Sequence, residues 1–351
     1  MMFNFGKNKV LGLDIGSSSI KIAEVDVGRS QSNLVAFGIV PTPPETFVGG
    51  EVLNAQALSI AIREVYAKIE TKRKNLAAGL SGTSVIIKKI SMPKMDHKLI
   101  AEQIRWEAEQ YIPFDINDVN LGFEVLQKTG APSESMDVLL VAAVQSHVFK
   151  YAEAIQGANL KCSVMDVSGF ALANCFRGAY GAFPNQTIAI MNIGSIATNL
   201  VVIENTEIVF CRDVPVGGST YTLDLQKALN VEQTEAEAIK LGFSQNKSTP
   251  SEVASVVTTS HELVLEEVKA GLDFFMNTSR AQNIFKMYVT GGGSKIPGLI
   301  DRLSTVAPCE KMDPFRNMKI SVKGFDPTYI QQIRDFAAVS IGLGMRKDDD
   351  A

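Results

Sequence analysis

LDIGSSSIKIAEV at residues 13–25 and MNIGSIATNLVVI at residues 191–203 are two copies of one pattern. Each runs as an apolar strand into an acidic or amide residue, an isoleucine, a glycine and a serine, then resumes as a second strand. The copies lie about half a chain length apart, which points to two related lobes, each opening on a strand-turn-strand element. The turn chemistry suits phosphate. Gly16 and Gly194 let the backbone approach an anion closely, with successive N–H groups turned outward. The hydroxyls of Ser17, Ser18, Ser195 and Thr198 can add donors, and Lys21 brings a positive charge within reach of a β- or γ-phosphate. Asp14 cannot ligate phosphate, because both are anionic. Its natural role is to hold Mg²⁺ through water, since Mg²⁺ keeps several of its waters. One Asp/Asn-x-Gly on its own reads as an ordinary hairpin turn. The duplication is what favours phosphate.

Working outward, NLVAFGIV (33–40) continues as a strand, and PTPPE (41–45) breaks it into a loop. Residues 55–70 form an amphipathic helix with Leu58, Ile62, Val65 and Ile69 on one face. A second unit opens near Ser84 with SVIIKKISMP, followed by a helix over 96–111 that aligns Ile100, Ile104, Ala108 and Tyr111. Two strands at 119–126 and 138–144 flank the polar turn GAPSES, and a helix at 147–156 and a strand at 161–167 close the unit. This order is that of a small α+β domain. Trp106, the one tryptophan, is read as a core residue of its helix. From 187 the strands return, followed by helices at 218–229 and 233–241, a polar loop at 244–251 and a long, interrupted helical region over 252–280. MYVTGGGSKIPG (287–298) reads as strand, glycine turn and helix start. The glycines there leave room for a flat ring or ribose against the backbone. The last helix covers about 328–345, where FAAVSIGLG permits close packing, and RKDDDA reads as a solvated end.

With 46% hydrophobic and 21% charged residues, 351 residues can support a packed core. The net charge of −4 and the absence of a basic stripe argue against nucleic acid as the main partner. Cys162, Cys175, Cys211 and Cys309 form no Cys-x-x-Cys pair, and His97, His147 and His261 are scattered, so zinc and a disulfide framework are not expected. No stretch has secretory or membrane-spanning length. The expectation is a cytoplasmic, soluble protein without direct membrane insertion, brought to a membrane only by a partner.

LDIGSSSIK, NIGSIATN, MDVSGFALAN, VTGGGSKIPG and FAAVSIGLG together resemble the actin/Hsp70/sugar-kinase ATPase superfamily, whose two phosphate loops, two connecting helices and adenosine loop occur in this order. The resemblance runs from residue 9 to 345 and implies an α/β, actin-like (ribonuclease H-like) two-lobed fold. SGTSVIIKKISMPKM and EAEQYIPFDINDV resemble the FtsA/PilM branch, and the PilM family most closely. That branch carries an inserted α+β subdomain, 1C. The implied division is subdomain 1A from 1–84, 166–186 and 330–351, subdomain 1C from 85–165, and a second lobe from 187–329. In the PilM family the chain belongs to the type IV pilus inner-membrane platform and binds the short cytoplasmic N-terminus of PilN in a groove between 1A and 1C. Self-association is compatible with the superfamily.

The resemblance also implies residue roles, with ATP and Mg²⁺ as cofactors. Asp14, Gly16, Ser17, Ser18 and Lys21 match the first loop, and Gly194, Ser195 and Thr198 the second. Glu237 and Lys240 match a Glu-x-x-Lys that contacts ribose and adenine. Gly292, Gly293 and Ser294 match the adenosine loop, and Asp166 stands near a catalytic position that orients water or metal. Thr234-Glu235-Ala236-Glu237 is equally a capping box, which would explain Glu237 by itself. The second loop departs from the family at its first residue: Asn192 replaces an aspartate and can hold a metal-bound water only weakly. The expectation is therefore ATP binding with slow or absent hydrolysis. A division-type filament protein like FtsA, which ends in a basic amphipathic helix, is disfavoured by the acidic tail. A small-molecule kinase would need a carboxylate base beyond Asp14 and Asp166.

Overall fold

The computed structural model describes residues 9–28, 30–126, 134–243, 250–279, 281, 283–321 and 326–347. The polar turn at 130–135, the loop at 244–251 and the tail at 346–351 lie largely outside these residues. The first lobe starts as an antiparallel meander of β1 (Leu11–Ile15), β2 (Ser19–Asp26) and β3 (Ser32–Pro41). A short hairpin, β4 (Phe47–Val48) and β5 (Glu51–Val52), leads to α1 (Ala55–Ala67). Asn54 caps α1 by accepting from the Ala57 N–H, and Leu58, Ile62 and Val65 face the sheet. β6 (Asn75–Leu80) then returns parallel to β1. Seven of the eight β2 residues are buried because layers cover both faces of the sheet.

Next comes an inserted unit: β7 (Val85–Pro93), α2 (His97–Glu109), β8 (Val119–Leu126) and β9 (Ser135–Val144). Its antiparallel sheet has the order β7-β9-β8 and a core of its own that includes Ile90, Ile100, Ile104, Val138 and Leu140. Trp106 is not part of that core; it is 73% exposed. Ile104 points inward, and a residue two positions further on a helix turns to the opposite side. Tyr111 is likewise exposed, and Ile112 takes the buried position.

α3 (Gln145–Gly157) and β10 (Lys161–Val167) follow. They correct the expected extent of the insert. β10 pairs in parallel with β6 in the first-lobe sheet, and α3 packs against α1, so the separate unit ends at Val144. α4 (Ser168–Tyr180) crosses to the second lobe, which repeats the meander as β11 (Phe183–Ile193), β12 (Thr198–Asn205) and β13 (Glu207–Val214). α5 (Gly218–Leu229), α6 (Gln233–Lys240) and α7 (Pro250–Thr278) precede β14 (Lys286–Thr290), which pairs in parallel with β11. α7 is one continuous helix. Its Gly271 brings it against β12, where a Cβ would lie 2.9 Å from Leu200.

The chain closes with α8 (Leu299–Leu303), β15 (Cys309–Lys311), β16 (Met318–Ile320), α9 (Pro327–Ile333) and α10 (Ala338–Gly344). β16 leaves the second lobe and pairs with β3 of the first. The expected single C-terminal helix is broken by a 3₁₀ turn at Arg334–Phe336. The cause is tertiary: the Asp335 carbonyl accepts from the Gly291 N–H and the Thr290 hydroxyl.

The strand orders β3-β2-β1-β6-β10 and β13-β12-β11-β14-β15 are the same winding used twice. Between the two sheets lie α4, packed on β12 and β13, and α10, packed on β1, β2 and β6. The two helices thus lie between the sheets and cross closely. At the crossing, a Cβ on Gly342 would lie 1.7 Å from the Ala171 carbonyl, and where β1 meets α10 one on Gly12 would lie 1.9 Å from the Ser340 carbonyl. The central core accordingly mixes residues of both lobes, among them Val25, Ala77, Ile190, Val201 and Phe176.

Candidate functional site: two matched glycine loops

The two loops have the same internal geometry. In the first, the Gly16 N–H donates to the Ser19 carbonyl at 3.1 Å; in the second, the Gly194 N–H donates to the Ala197 carbonyl at 3.0 Å. Added Cβ atoms would meet those carbonyls at 2.9 Å and 2.8 Å, so glycine is required at both by close approach. Asp14 pairs with Lys21 across the first hairpin, and Asn192 with Asn199 across the second. Lys21 Nζ stands 3.1 Å from Asp14 Oδ2, both largely buried. Thr42 braces the loop by donating from its hydroxyl to the Gly16 carbonyl at 2.6 Å and from its N–H to the Ser18 carbonyl.

The second loop is braced by a segment that was not singled out from the sequence. Gly217 and Gly218 open α5; the Gly218 N–H donates to the Gly194 carbonyl, and Ser219 donates from both its N–H and its hydroxyl to the Ser195 carbonyl. A Cβ on Gly217 would lie 2.5 Å from the Ser195 carbonyl, a constraint that no local pattern announces. Thr198 does not add a donor to the loop: it is fully buried, and its hydroxyl donates to the Val216 carbonyl at 2.8 Å.

The glycine run at 291–293, expected to leave room for a ring or ribose, packs one side against the second loop and Phe336. Cβ atoms on Gly291 and Gly293 would collide with Ile193 of the second loop, and one on Gly292 would lie 3.0 Å from Phe336. The Ser294 hydroxyl is buried and donates to the Gly291 carbonyl at 2.7 Å. This turn therefore seats the second glycine loop. α6 removes the capping-box reading of Glu237. Its N-cap is Glu232, which makes no side-chain cap bond, so Thr234 lies inside the helix and no capping box forms. Glu237 instead accepts from Lys240 Nζ at 2.6 Å and from the Thr222 hydroxyl, while Lys240 Nζ reaches the Gly218 carbonyl at 3.3 Å beside the second loop. Thr222 is a further member that the sequence did not mark.

Asp166 was expected to orient water or metal. Its Oδ1 accepts from the Val167 N–H at 2.8 Å, and its Oδ2 lies 3.3 Å from Arg346 Nε. The residue missed was Asp213. Asn192, Asn199 and Asp213 are register neighbours on β11, β12 and β13. Asn192 Nδ2 donates to Asn199 Oδ1 at 2.8 Å, and Asn199 Nδ2 donates to Asp213 Oδ1 at 2.6 Å. Asp213 Oδ2 accepts from the Gly82 N–H of the first lobe. Burial pushes the Asp213 pKa above the ordinary carboxylate value, against the pull of both donors.

The chemistry of the loops fits Mg²⁺ with a bound polyphosphate, since Mg²⁺ sites commonly supply one or two carboxylates and leave the rest to phosphate and water. Among the described residues no cluster of three or more His, Cys, Asp or Glu side chains could hold a metal by itself. Asp14 would be the protein's carboxylate, with the phosphate supplying the other charges. No helix of the described residues is long and apolar enough to cross a membrane.

Residues 12–348 match the family described as type IV pilus assembly protein PilM. The chain belongs to the PilM family. A solved structure of a PilM–PilN type IV pilus biogenesis complex is 30% identical, with a TM-score of 0.85 over 96% of this chain and 98% of that one. The cell division protein FtsA of Enterococcus hirae is 22% identical over 83% of this chain and 74% of its own length. The ethanolamine utilization protein EutJ from Carboxydothermus hydrogenoformans, 16% identical with a TM-score of 0.56 over 97% of this chain and 89% of its own, shares the fold alone. The fold is thus the actin-like ATPase fold in its FtsA/PilM form.

Proposed function

We propose that this chain is a nucleotide-dependent scaffold of the type IV pilus assembly machinery. It binds Mg²⁺·ATP between the two glycine loops. It also takes the cytoplasmic N-terminal tail of a PilN-type inner-membrane protein in the groove between the first-lobe body and the inserted unit. The observation that carries the nucleotide reading is the matched pair of turns, Gly16 to Ser19 and Gly194 to Ala197. What supports the partner is the likeness, across nearly the whole chain, to the structure of a PilM–PilN complex. Such a protein works in the cytoplasm and sits at the inner membrane through its partners.

In this reading the backbone around Gly16, Ser17, Ser18, Gly194 and Ser195 cradles phosphate, Lys21 supplies positive charge, and Asp14 holds the metal through water. Glu237, Lys240 and the turn at Gly292, Gly293 and Ser294 flank the nucleoside, the last by seating the second loop. ATP supplies charge for the loops to grip; the lobes close on it by a population shift. Hydrolysis is slow at most, because Asn192 brings an amide where positioning of water and metal needs charge. Mass spectrometry of nucleotide retained on the purified protein should find intact ATP. Tail peptides of inner-membrane proteins should bind with an affinity that depends on ATP. Turnover of about 1 s⁻¹ or faster would refute the scaffold reading.

A further inference from the structure

The inserted unit is joined to the body at a narrow neck. β6 ends at Leu80 and β7 starts at Val85; between them Gly82 has φ +96°, a conformation that L side chains rarely adopt. The other end of the insert returns to the same place, where the Val144 N–H donates to the Ser84 carbonyl at 3.0 Å. Two carboxylates grip this neck from outside. Glu51, on the β4–β5 hairpin of the first lobe, accepts from the Ser84 hydroxyl and lies 3.3 Å from His147 Nδ1. Asp213, from the second lobe, accepts from the Gly82 N–H.

Only the second grip leads back to a glycine loop. Asp213 is held by Asn199, and Asn199 by Asn192, the first residue of the second loop. The three residues stand level on adjacent strands, so the hydrogen-bond chain runs straight across the sheet from loop to neck. Among the described residues no cation forms an ion pair with Asp213, so its place is set by these two donors. A displacement of Asn192 therefore changes where the Gly82 N–H finds its acceptor.

We propose that Asp213 is a positioning residue that couples occupancy of the second glycine loop to the setting of the inserted unit on its neck. The inference rests on the reading that the loops bind nucleotide. When Asn192 shifts toward a bound phosphate, the Asn199–Asp213 contact carries the shift to Gly82. The insert then turns about the neck, changing the groove it shares with the first lobe. The coupling is reciprocal: a ligand in that groove changes nucleotide affinity by the same factor.

The test is hydrogen exchange of the full chain, read at residues 85–126 and 135–144 with and without Mg²⁺·ATP, alongside equilibrium dialysis of ATP. In the wild type, nucleotide should change exchange in the insert by about 5-fold or more, the low end of ordinary coupling. Asp213→Ala should still bind ATP yet lose that response. Asn199→Ala leaves the Asp213–Gly82 bond in place and cuts only the link to the loop, so it should lose the response as well, even if Asp213→Ala does not fold. A response preserved in Asn199→Ala, or an insert indifferent to bound ATP in the wild type, overturns the coupling alone. A wild type that binds no ATP overturns the nucleotide reading and the coupling with it.

Discussion

Exchanging the charges at the two ends of the polar chain tests why the second loop opens on an amide. The chain has a direction. Asp213 can only accept, so Asn199 must turn its Nδ2 toward it, at 2.6 Å; this leaves Asn199 Oδ1 to accept from Asn192 Nδ2 at 2.8 Å. Asn192→Asp sets a carboxylate oxygen against that carbonyl oxygen, and Asn199 cannot flip without abandoning Asp213. Asp213→Asn keeps all three bonds only if Asn199 and Asn192 both flip, so that the Asn199 oxygen accepts from the new amide and Asn192 accepts from Asn199, while the amide oxygen at position 213 still accepts from the Gly82 N–H. The unmatched pair in Asn192→Asp costs about 1–3 kcal/mol, so that variant should melt lower by several degrees, and Asp213→Asn by less. In the double variant every side-chain bond can reverse. The new carboxylate at position 192 accepts from the flipped Asn199 amide, and the Asn199 oxygen accepts from the new amide at position 213. The oxygen of that new amide still accepts from the Gly82 N–H. Thermal melts of the four proteins form a double-mutant cycle, and the double variant should recover at least about 1 kcal/mol relative to additivity. ATP turnover, if the carboxylate introduced at position 192 supplies the missing charge, should likewise appear in the double variant more than in Asn192→Asp alone. Additive losses, with no recovery, would refute the directional account of Asn192.

The helix crossing should be intolerant of one methyl. Gly342→Ala places a Cβ 1.7 Å from the Ala171 carbonyl and should lower stability by about 1–3 kcal/mol or more, whereas Gly122→Ala, which meets nothing within 4 Å, should melt near the wild type. At the neck, the Ser84 hydroxyl holds the Glu51 carboxyl below its ordinary range, and the neighbouring His147 and Lys150 add to this against the cost of burial. A depressed carboxylate pKa stabilises above the unfolded value and loses that contribution as pH falls through the folded value. Ser84→Ala should therefore show a smaller drop in melting temperature between about pH 5 and pH 3. Asp213 has the opposite sign. Its raised pKa means that stability falls as pH rises from the ordinary carboxylate value of 3.8, and Asp213→Asn should abolish that slope in pH-dependent denaturation. Asp14→Asn should weaken Mg²⁺-dependent ATP binding in dialysis while leaving the Gly16 turn intact.

The fold was legible because it is written twice. LDIGSSSIK and NIGSIATN share the positions that a tight strand-turn-strand requires, and both glycines are required by a carbonyl within 3 Å of where a Cβ would stand. Alternation, glycine and helical spacing are local properties, so the strands and most helices followed from them. The misreadings occur where a distant segment decides. The break at Arg334–Phe336 depends on Gly291 and Thr290 reaching the Asp335 carbonyl, and the extent of the insert depends on β10 choosing β6 as its neighbour. Trp106 looked like core because large aromatics usually are, yet Ile100, Ile104 and Ala108 already fill the inward face of α2.

The same division holds at the site. Asp14, Lys21 and Gly194 stand in short motifs, where neighbours in sequence are neighbours in space. Asp213, Thr222, Gly217 and Gly218 stand in no motif, and they reach the second loop only because the sheet and α5 fold back onto it. Hydrogen bonds between adjacent strands join residues by register, and register is settled by packing of the whole sheet. The loops were therefore visible in the chain of letters, while the polar path that leads from one of them to the inserted unit exists only once the second sheet has been assembled against the first lobe.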